Sequence, residues 1–233
     1  MRRAAIIGPP TMIEFHRVSK VFTVGPVKVP ALSDVSFRVD KGEFVILSGP
    51  SGAGKTTLLR LLYRAEVDTE GDVKVLGRSV AGLRHRQVRD LRRSIGVVFQ
   101  DAKLLPGRTV YENVAFVLRV TGVARSEITP RVFDALRAVG ISARAQSSPS
   151  QLSQGEAQRA SLARAIARKP ALLIADEPTA NVDDAMAAEL LDVIKNIWAG
   201  GTTVILATHQ ATLAHRLKQR TLALEHGRLV KDG

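Results

Sequence analysis

The run Gly49-Pro50-Ser51-Gly52-Ala53-Gly54-Lys55-Thr56 combines three glycines with a lysine and a hydroxyl. Its spacing matches the phosphate-binding P-loop pattern G-x-x-x-x-G-K-[ST] in full. Glycines there let successive backbone N–H groups curl around a phosphate chain at the positive end of a new helix. Lys55 is placed to reach the outer phosphates, and the Thr56 hydroxyl to ligate Mg²⁺. The apolar run Phe44-Val45-Ile46-Leu47 leads in, and Thr57-Leu58-Leu59-Arg60-Leu61-Leu62 follows as a helix. That is the strand–loop–helix context the motif requires. A Gly-rich turn before a helix explains this loop alone, but not the motifs downstream.

The second such stretch is Ala171-Leu172-Leu173-Ile174-Ala175-Asp176-Glu177, an apolar strand ending in two acids. Asp176 can hold a Mg²⁺ shell as a Walker B acid. Glu177, one position further, is free to polarise an attacking water as general base. Acids at strand ends are common, so this pair is weak evidence by itself. The third stretch, Leu152-Ser153-Gln154-Gly155-Glu156, satisfies the S-x-x-E capping box before the helix 157–168. A capped helix start with a hydroxyl and a glycine N–H is also an anion site. It could serve a terminal phosphate presented by a second subunit.

These residues need elements to carry them. Apolar periodicity predicts strands at Glu14–Phe22, Val35–Val39, Phe44–Leu47, Val73–Leu76, Ile95–Phe99, Ala171–Ala175, Thr203–Ala207 and Arg220–Leu224. The helix after the P-loop is expected to end near Arg64. A second helical region runs from Val110 to about Val139, with a break expected at Thr129-Pro130, Thr as N-cap and Pro at the first helical position. The segment 78–150, the Ile95–Phe99 strand apart, reads as a helix-rich lobe inserted into the core. Alternation of strands and helices argues for an α/β fold with a mostly parallel sheet. No internal repeat, low-complexity tract or long linker interrupts it.

At 233 residues and 45% apolar composition, the chain is one globular domain. No apolar stretch approaches the ~18–20 residues of a spanning helix, and no signal peptide is visible. Residues 1–11 read as a disordered extension or a misplaced start, with the domain proper from 12 to 233. The chain has no cysteine, which excludes disulfides and thiolate metal sites and fits a reducing cytosol. Its formal net charge of +12 calls for an anionic partner: nucleotide, nucleic acid or anionic lipid. Six arginines fall between Arg78 and Arg93, with Asp90 the only acid. Val88, Leu91 and Ile95 lie at roughly helical spacing, so a solvated helix face is the favoured reading. Anionic lipid ranks second and nucleic acid third, since no recognised motif or aromatic interleaving accompanies the arginines.

Taken in order, the P-loop, Gln100 after a strand, Leu-Ser-x-Gly-Glu, the strand-Asp-Glu, Asn181-Val182-Asp183 and Thr208-His209 resemble ABC-type ATPase domains over residues 12 to 231. The resemblance implies the P-loop NTPase fold of ABC ATPases, with an N-terminal antiparallel β part and the inserted helical lobe. It implies a site taking ATP and Mg²⁺ on residues 49–57 (Gly49, Pro50, Ser51, Gly52, Ala53, Gly54, Lys55, Thr56, Thr57). Phe22 lies where the family places an aromatic that stacks on adenine, though a core Phe is nearly as good a reading. Gln100 would act as a catalytic residue and a magnesium ligand with Thr56 and Asp176, linking the metal site to a membrane partner; Asp183 would cross a dimer interface, and His209 would contact the γ-phosphate. Ser153 and Gly155 would face ATP held by the other subunit of a homodimer that sandwiches two nucleotides. One departure stands out: Gln154 replaces the first of the family's two signature glycines, and glutamine disfavours positive φ.

The stretch Leu104–Ala115, the segment Gly201–His209 and the ending Ala223–Val230 further resemble the FtsE-type cell-division ATPases. That likeness implies an FtsX-type integral membrane subunit, peripheral attachment at the cytoplasmic face of the cell membrane, and a signal passed to cell-wall hydrolases. Lipoprotein-export and macrolide-export ATPases share much of this framework. A soluble nucleic-acid-acting ABC ATPase fits the charge, but those carry two such domains or long coiled coils. A small-molecule kinase would share only the P-loop.

Overall fold

The computed structural model of the chain describes residues 10–180, 182–210 and 217–233. The first nine residues, Asn181 and residues 211–216 lie outside the described residues, so most of the expected N-terminal extension falls there. The elements run β1 (Thr11–Val24), β2 (Val27–Asp40), β3 (Phe44–Ser48), α1 (Lys55–Leu62), β4 (Glu70–Val75), β5 (Arg78–Ser79), α2 (His85–Arg93) and β6 (Ile95–Val98). After them come α3 (Val110–Val120), α4 (Arg125–Ala138), α5 (Gln154–Ile166), β7 (Leu172–Asp176), α6 (Asp184–Ala199), β8 (Thr203–Thr208), β9 (Arg220–Glu225) and β10 (Arg228–Asp232).

Two sheets result. An antiparallel sheet has the order β2-β1-β4-β5, and a six-stranded sheet the order β10-β9-β3-β8-β7-β6. All pairs of the latter are parallel except the β9–β10 hairpin at its edge. Strand periodicity divides the core cleanly. Phe44, Ile46, Leu173, Ala175, Val204 and Leu206 face one buried cluster with α3, α4, α5 and α6. Their alternates Val45, Leu47, Leu172, Ile174, Ile205 and Ala207 face a second, with α1 and the antiparallel sheet. Helix α1 thus lies between the sheets, with Leu58, Leu59, Leu61 and Leu62 buried.

The eight strands expected from sequence are all present, and β2 is longer than its apolar core suggested. Pro30 falls within it, opposite Val21, which is tolerated because β2 is an edge strand whose outer side needs no N–H donor. The helix break is a correction. The chain turns at Thr121–Gly122, where Gly122 has φ 82, and Pro130 lies inside an unbroken α4. Thr129 does not act as an N-cap there; its Oγ1 meets the Tyr111 hydroxyl at 2.8 Å. Burial of Ile128, Val132 and Leu136 carries the helix through a proline that deletes a single backbone bond.

Candidate functional site

Register alone assembles the site. Ser48 pairs with Thr208, Asp176 with Ala207, and Ala175 with Val98. Gly49, His209, Glu177 and the Phe99–Gln100 segment therefore leave the sheet at neighbouring carboxyl ends, where open α/β sheets bind ligands.

The loop after β3 takes a shape open mainly to glycine: Gly49, Gly52 and Gly54 have φ 150, 80 and 104. A Cβ at Gly54 would lie 2.6 Å from the Ala31 carbonyl oxygen of β2. Helix α1 starts at Lys55 directly behind it and has no side-chain cap, leaving its first amides to the loop. From beneath, the β9–β10 turn braces the loop, with Gly227 N–H donating to the Ala53 oxygen at 3.1 Å. Lys55 is buried; its Nζ donates to the Gly49 and Pro50 oxygens at 2.7 and 3.2 Å. Pro50, Ser51 and Thr56 are exposed, and Thr57 is half-buried.

Two acids come from β7. Burial raises the Asp176 pKa from its ordinary value, opposed by a hydrogen bond with Thr56 and reinforced by the Glu177 charge. Its Oδ1 is buried without a hydrogen-bond partner. An orphaned carboxylate oxygen beside a threonine hydroxyl suits a hard divalent cation, which is held through few protein ligands plus phosphate oxygens. Thr56 and Asp176, two of the three expected magnesium ligands, therefore fit that ion. Glu177 has φ 50, a left-handed conformation uncommon for a side-chain-bearing residue. Its N–H donates to the Ala207 oxygen at 3.0 Å, and the turn swings its carboxylate across the loop. Oε1 lies 3.4 Å from Lys55 Nζ, and Oε2 lies 2.8 Å from His209 Nδ1.

The remaining expected residues sit elsewhere on the chain. Ser153 caps α5, its Oγ accepting from Glu156 N–H at 3.2 Å, while Glu156 accepts back from Ser153 N–H at 2.8 Å. Those bonds, with Arg144 Nε at 2.8 Å, hold the Glu156 carboxyl below its ordinary pKa. Asp183 caps α6 through Met186 N–H at 2.8 Å. Gly155 is a packing glycine: a Cβ there would meet Met186 Sδ at 2.6 Å, so the first turns of α5 and α6 pack directly on each other. Gln154 is the first residue of α5 with ordinary helical backbone, so its position demands no glycine. Among the described residues, no hydrogen bond or ion pair joins Ser153, Gly155 or Asp183 to residues 49–57. Phe22 is half-buried near the end of β1.

Gln100 is exposed, and its backbone is clamped by a residue that sequence reading did not single out. Gln158, buried on α5, donates from Nε2 to the Gln100 oxygen and to the Phe99 oxygen at 3.4 Å. Arg164 continues the clamp, donating to the Lys103 and Ala102 oxygens at 2.7 and 2.8 Å. Asn113 similarly fills the Leu105–Thr109 turn, accepting from Leu105 N–H at 2.7 Å and donating to the Thr109 oxygen at 3.0 Å. The available signal was a polar amide set on an otherwise apolar helix face.

Comparisons with known proteins agree with this geometry. A family model described as "ABC transporter" matches residues 32–180. The "Cell division ATP-binding protein FtsE" of Mycobacterium tuberculosis is 47% identical over 203 residues, 87% of this chain and 88% of the relative. The protein of the same name from Escherichia coli K12 is 44% identical over 218 residues, 94% of this chain and 97% of the relative. Among solved structures, the dimeric post-hydrolysis state of the ATP-binding cassette MJ0796 bound to ADP and Pi matches with a TM-score of 0.88 at 30% identity, over 95% of this chain and 98% of that one. On these matches the chain belongs to the ABC transporter family, as an ATPase of the FtsE type.

Proposed function

We propose that this FtsE-type cassette hydrolyses ATP by attack of a Glu177-oriented water on the γ-phosphate. The observation that carries the reading is the placement of one carboxylate, Glu177, between the P-loop ammonium and the His209 ring, with Asp176 beside it. The water oxygen bonds to the γ-phosphorus and its proton passes to Glu177. The bond from that phosphorus to the β–γ bridging oxygen breaks, giving ADP and inorganic phosphate. Lys55 releases its P-loop carbonyls to phosphate oxygens, and His209 donates to the transferring group. Thr56 and Asp176 would hold Mg²⁺, which when bound neutralises charge on the β- and γ-oxygens.

In this reading two copies close head to tail, each P-loop nucleotide facing the other copy's Ser153 and Gly155. The exposed α5 start and the dimeric MJ0796 cassette support it. A two-fold assembly of this kind is closed. Among the described residues no helix is long and apolar enough to cross a membrane. By the FtsE likeness, the output passes at the cytoplasmic face to an FtsX-like integral membrane subunit that regulates cell-wall hydrolysis during division. Affinity isolation from solubilised membranes, paired with phosphate release by the isolated complex, tests this. Expected are an integral membrane subunit in stoichiometric yield and Mg²⁺-dependent release of phosphate from ATP. Recovery of the chain without any membrane protein, or a complex inert towards MgATP, would overturn the proposal.

A further inference from the structure

The Phe22 ring is half-buried, and one of its faces is already taken. Lys20 Nζ lies 4.8 Å from the ring centroid. Residues i and i+2 of a strand share a face, so the contact follows from β1 itself. Free lysines rarely hold one position, because the four-carbon stem gives up about 2 kcal/mol of rotamer entropy on being fixed. Lys20 is fixed. Its Nζ donates to the Val67 oxygen at 2.8 Å and pairs with Glu66 at 3.2 Å, with side-chain exposures of only 14% and 26%.

The anchoring segment leads out of α1, the helix that begins at the P-loop. It is stitched to β1 twice more: Thr69 N–H donates to the Ser19 oxygen at 2.8 Å, and Val21 N–H to Thr69 Oγ1 at 3.0 Å. Across the hairpin, Lys20 pairs with Leu32. Leu32 in turn packs so closely on the P-loop that a Cβ at Gly54 would be 3.0 Å from its Cδ2. The ring and the phosphate loop are thereby held in one frame by groups that touch neither phosphate nor base.

We propose that Lys20, anchored by Glu66, is a positioning residue for nucleotide base recognition: it fixes Phe22 from one side so that the opposite face is presented to adenine. The ammonium also draws π density from the ring, which favours stacking on an electron-rich base. This rests on the reading that Phe22 stacks on the base.

The test is equilibrium titration of the full chain with MgATP and with magnesium tripolyphosphate, which has the phosphates but no base. Wild type, Lys20→Met, Glu66→Gln, Phe22→Ala and the Lys20→Met/Phe22→Ala double variant are compared. Lys20→Met is expected to weaken ATP binding about two- to fivefold, the size of a partly exposed cation–π contact, and to leave tripolyphosphate binding unchanged. Glu66→Gln should shift ATP affinity in the same direction, and Lys20→Met should add nothing once Phe22 is alanine. Equal loss for ATP and tripolyphosphate, or additive losses in the double variant, would overturn the proposal. If Phe22→Ala weakens ATP binding while Lys20→Met does not, the Lys20 role alone falls. Unchanged ATP affinity in Phe22→Ala removes the base-stacking reading and the Lys20 role with it.

Discussion

His209 meets Glu177 twice: its Nδ1 lies 2.8 Å from Oε2, and its backbone N–H donates to the same oxygen at 3.3 Å. The backbone contact survives any substitution of the ring, so His209→Ala should leave Glu177 in place. What it removes, on the proposed mechanism, is the ring's donation to the transferring phosphate. Hydrolysis is expected to fall by about 10²–10³, as when one donor to developing charge is lost. ATP affinity should change far less. Steady-state kinetics with a separate nucleotide titration distinguish the two effects.

Asp176 gives a stability signature with a defined sign. Burial raises its folded-state pKa, so the folded protein holds the proton more tightly than the unfolded chain does. Ionising Asp176 therefore opposes folding at pH values above its unfolded pKa. Asp176→Asn should raise the thermal midpoint at neutral pH, and the gain should shrink as pH falls into the carboxylate range, where Asp176 is protonated in both states. The same variant should lose Mg²⁺-dependent hydrolysis. Melting curves over a pH series, together with phosphate release, check both halves.

Ser153→Arg separates a helix cap from a site on the partner. Losing the cap costs about 1 kcal/mol of stability, which a denaturation curve reads directly. An arginine at the exposed α5 start should also abolish ATP-dependent dimerisation in the Glu177→Gln background while monomeric ATP binding persists. Sedimentation decides: a dimer of undiminished strength would leave Ser153 as a cap alone.

Arginines that look alike in sequence divide sharply in the structure. Arg92 donates from Nε to the Tyr63 oxygen at 3.0 Å and from Nη2 to the Arg64 oxygen at 2.9 Å, closing the carboxyl end of α1. Arg84, the N-cap of α2, and Arg86 and Arg89 on the helix itself are exposed, and the apolar side of α2 is Val88 and Leu91. Arg92→Gln should cost about 1 kcal/mol. The triple change of Arg84, Arg86 and Arg89 to Gln should leave stability within about 0.5 kcal/mol and ATP hydrolysis unaltered. Urea unfolding of the two variants compares them.

Much of the site was legible because its signals are local. A P-loop, an acid pair at a strand end and a capping box are each written within a few residues, and parallel register brings the first two together. The central strands were legible for the same reason, the runs at 44–47, 171–175 and 204–207 being apolar throughout. What escaped depends on distant partners. Thr129-Pro130 reads as a helix start, yet Thr129 bonds to Tyr111 of α3 and the helix runs on. Gln158 and Arg164 show their purpose only when the Phe99–Lys103 carbonyls lie against them. Gln154, a departure from the family signature, meets no backbone strain, because it stands in the first turn of the helix with ordinary φ.

The most direct measurement is single-turnover hydrolysis by Glu177→Gln, set beside its ATP affinity. The amide cannot take the proton of the attacking water, whereas the residues proposed to bind MgATP, Lys55, Thr56 and Asp176, remain. The expected result is ATP affinity no weaker than wild type, with a rate about 10²–10⁴ lower and accumulation of an ATP-bound dimer. A rate near that of the wild type would contradict the assignment of Glu177 as general base.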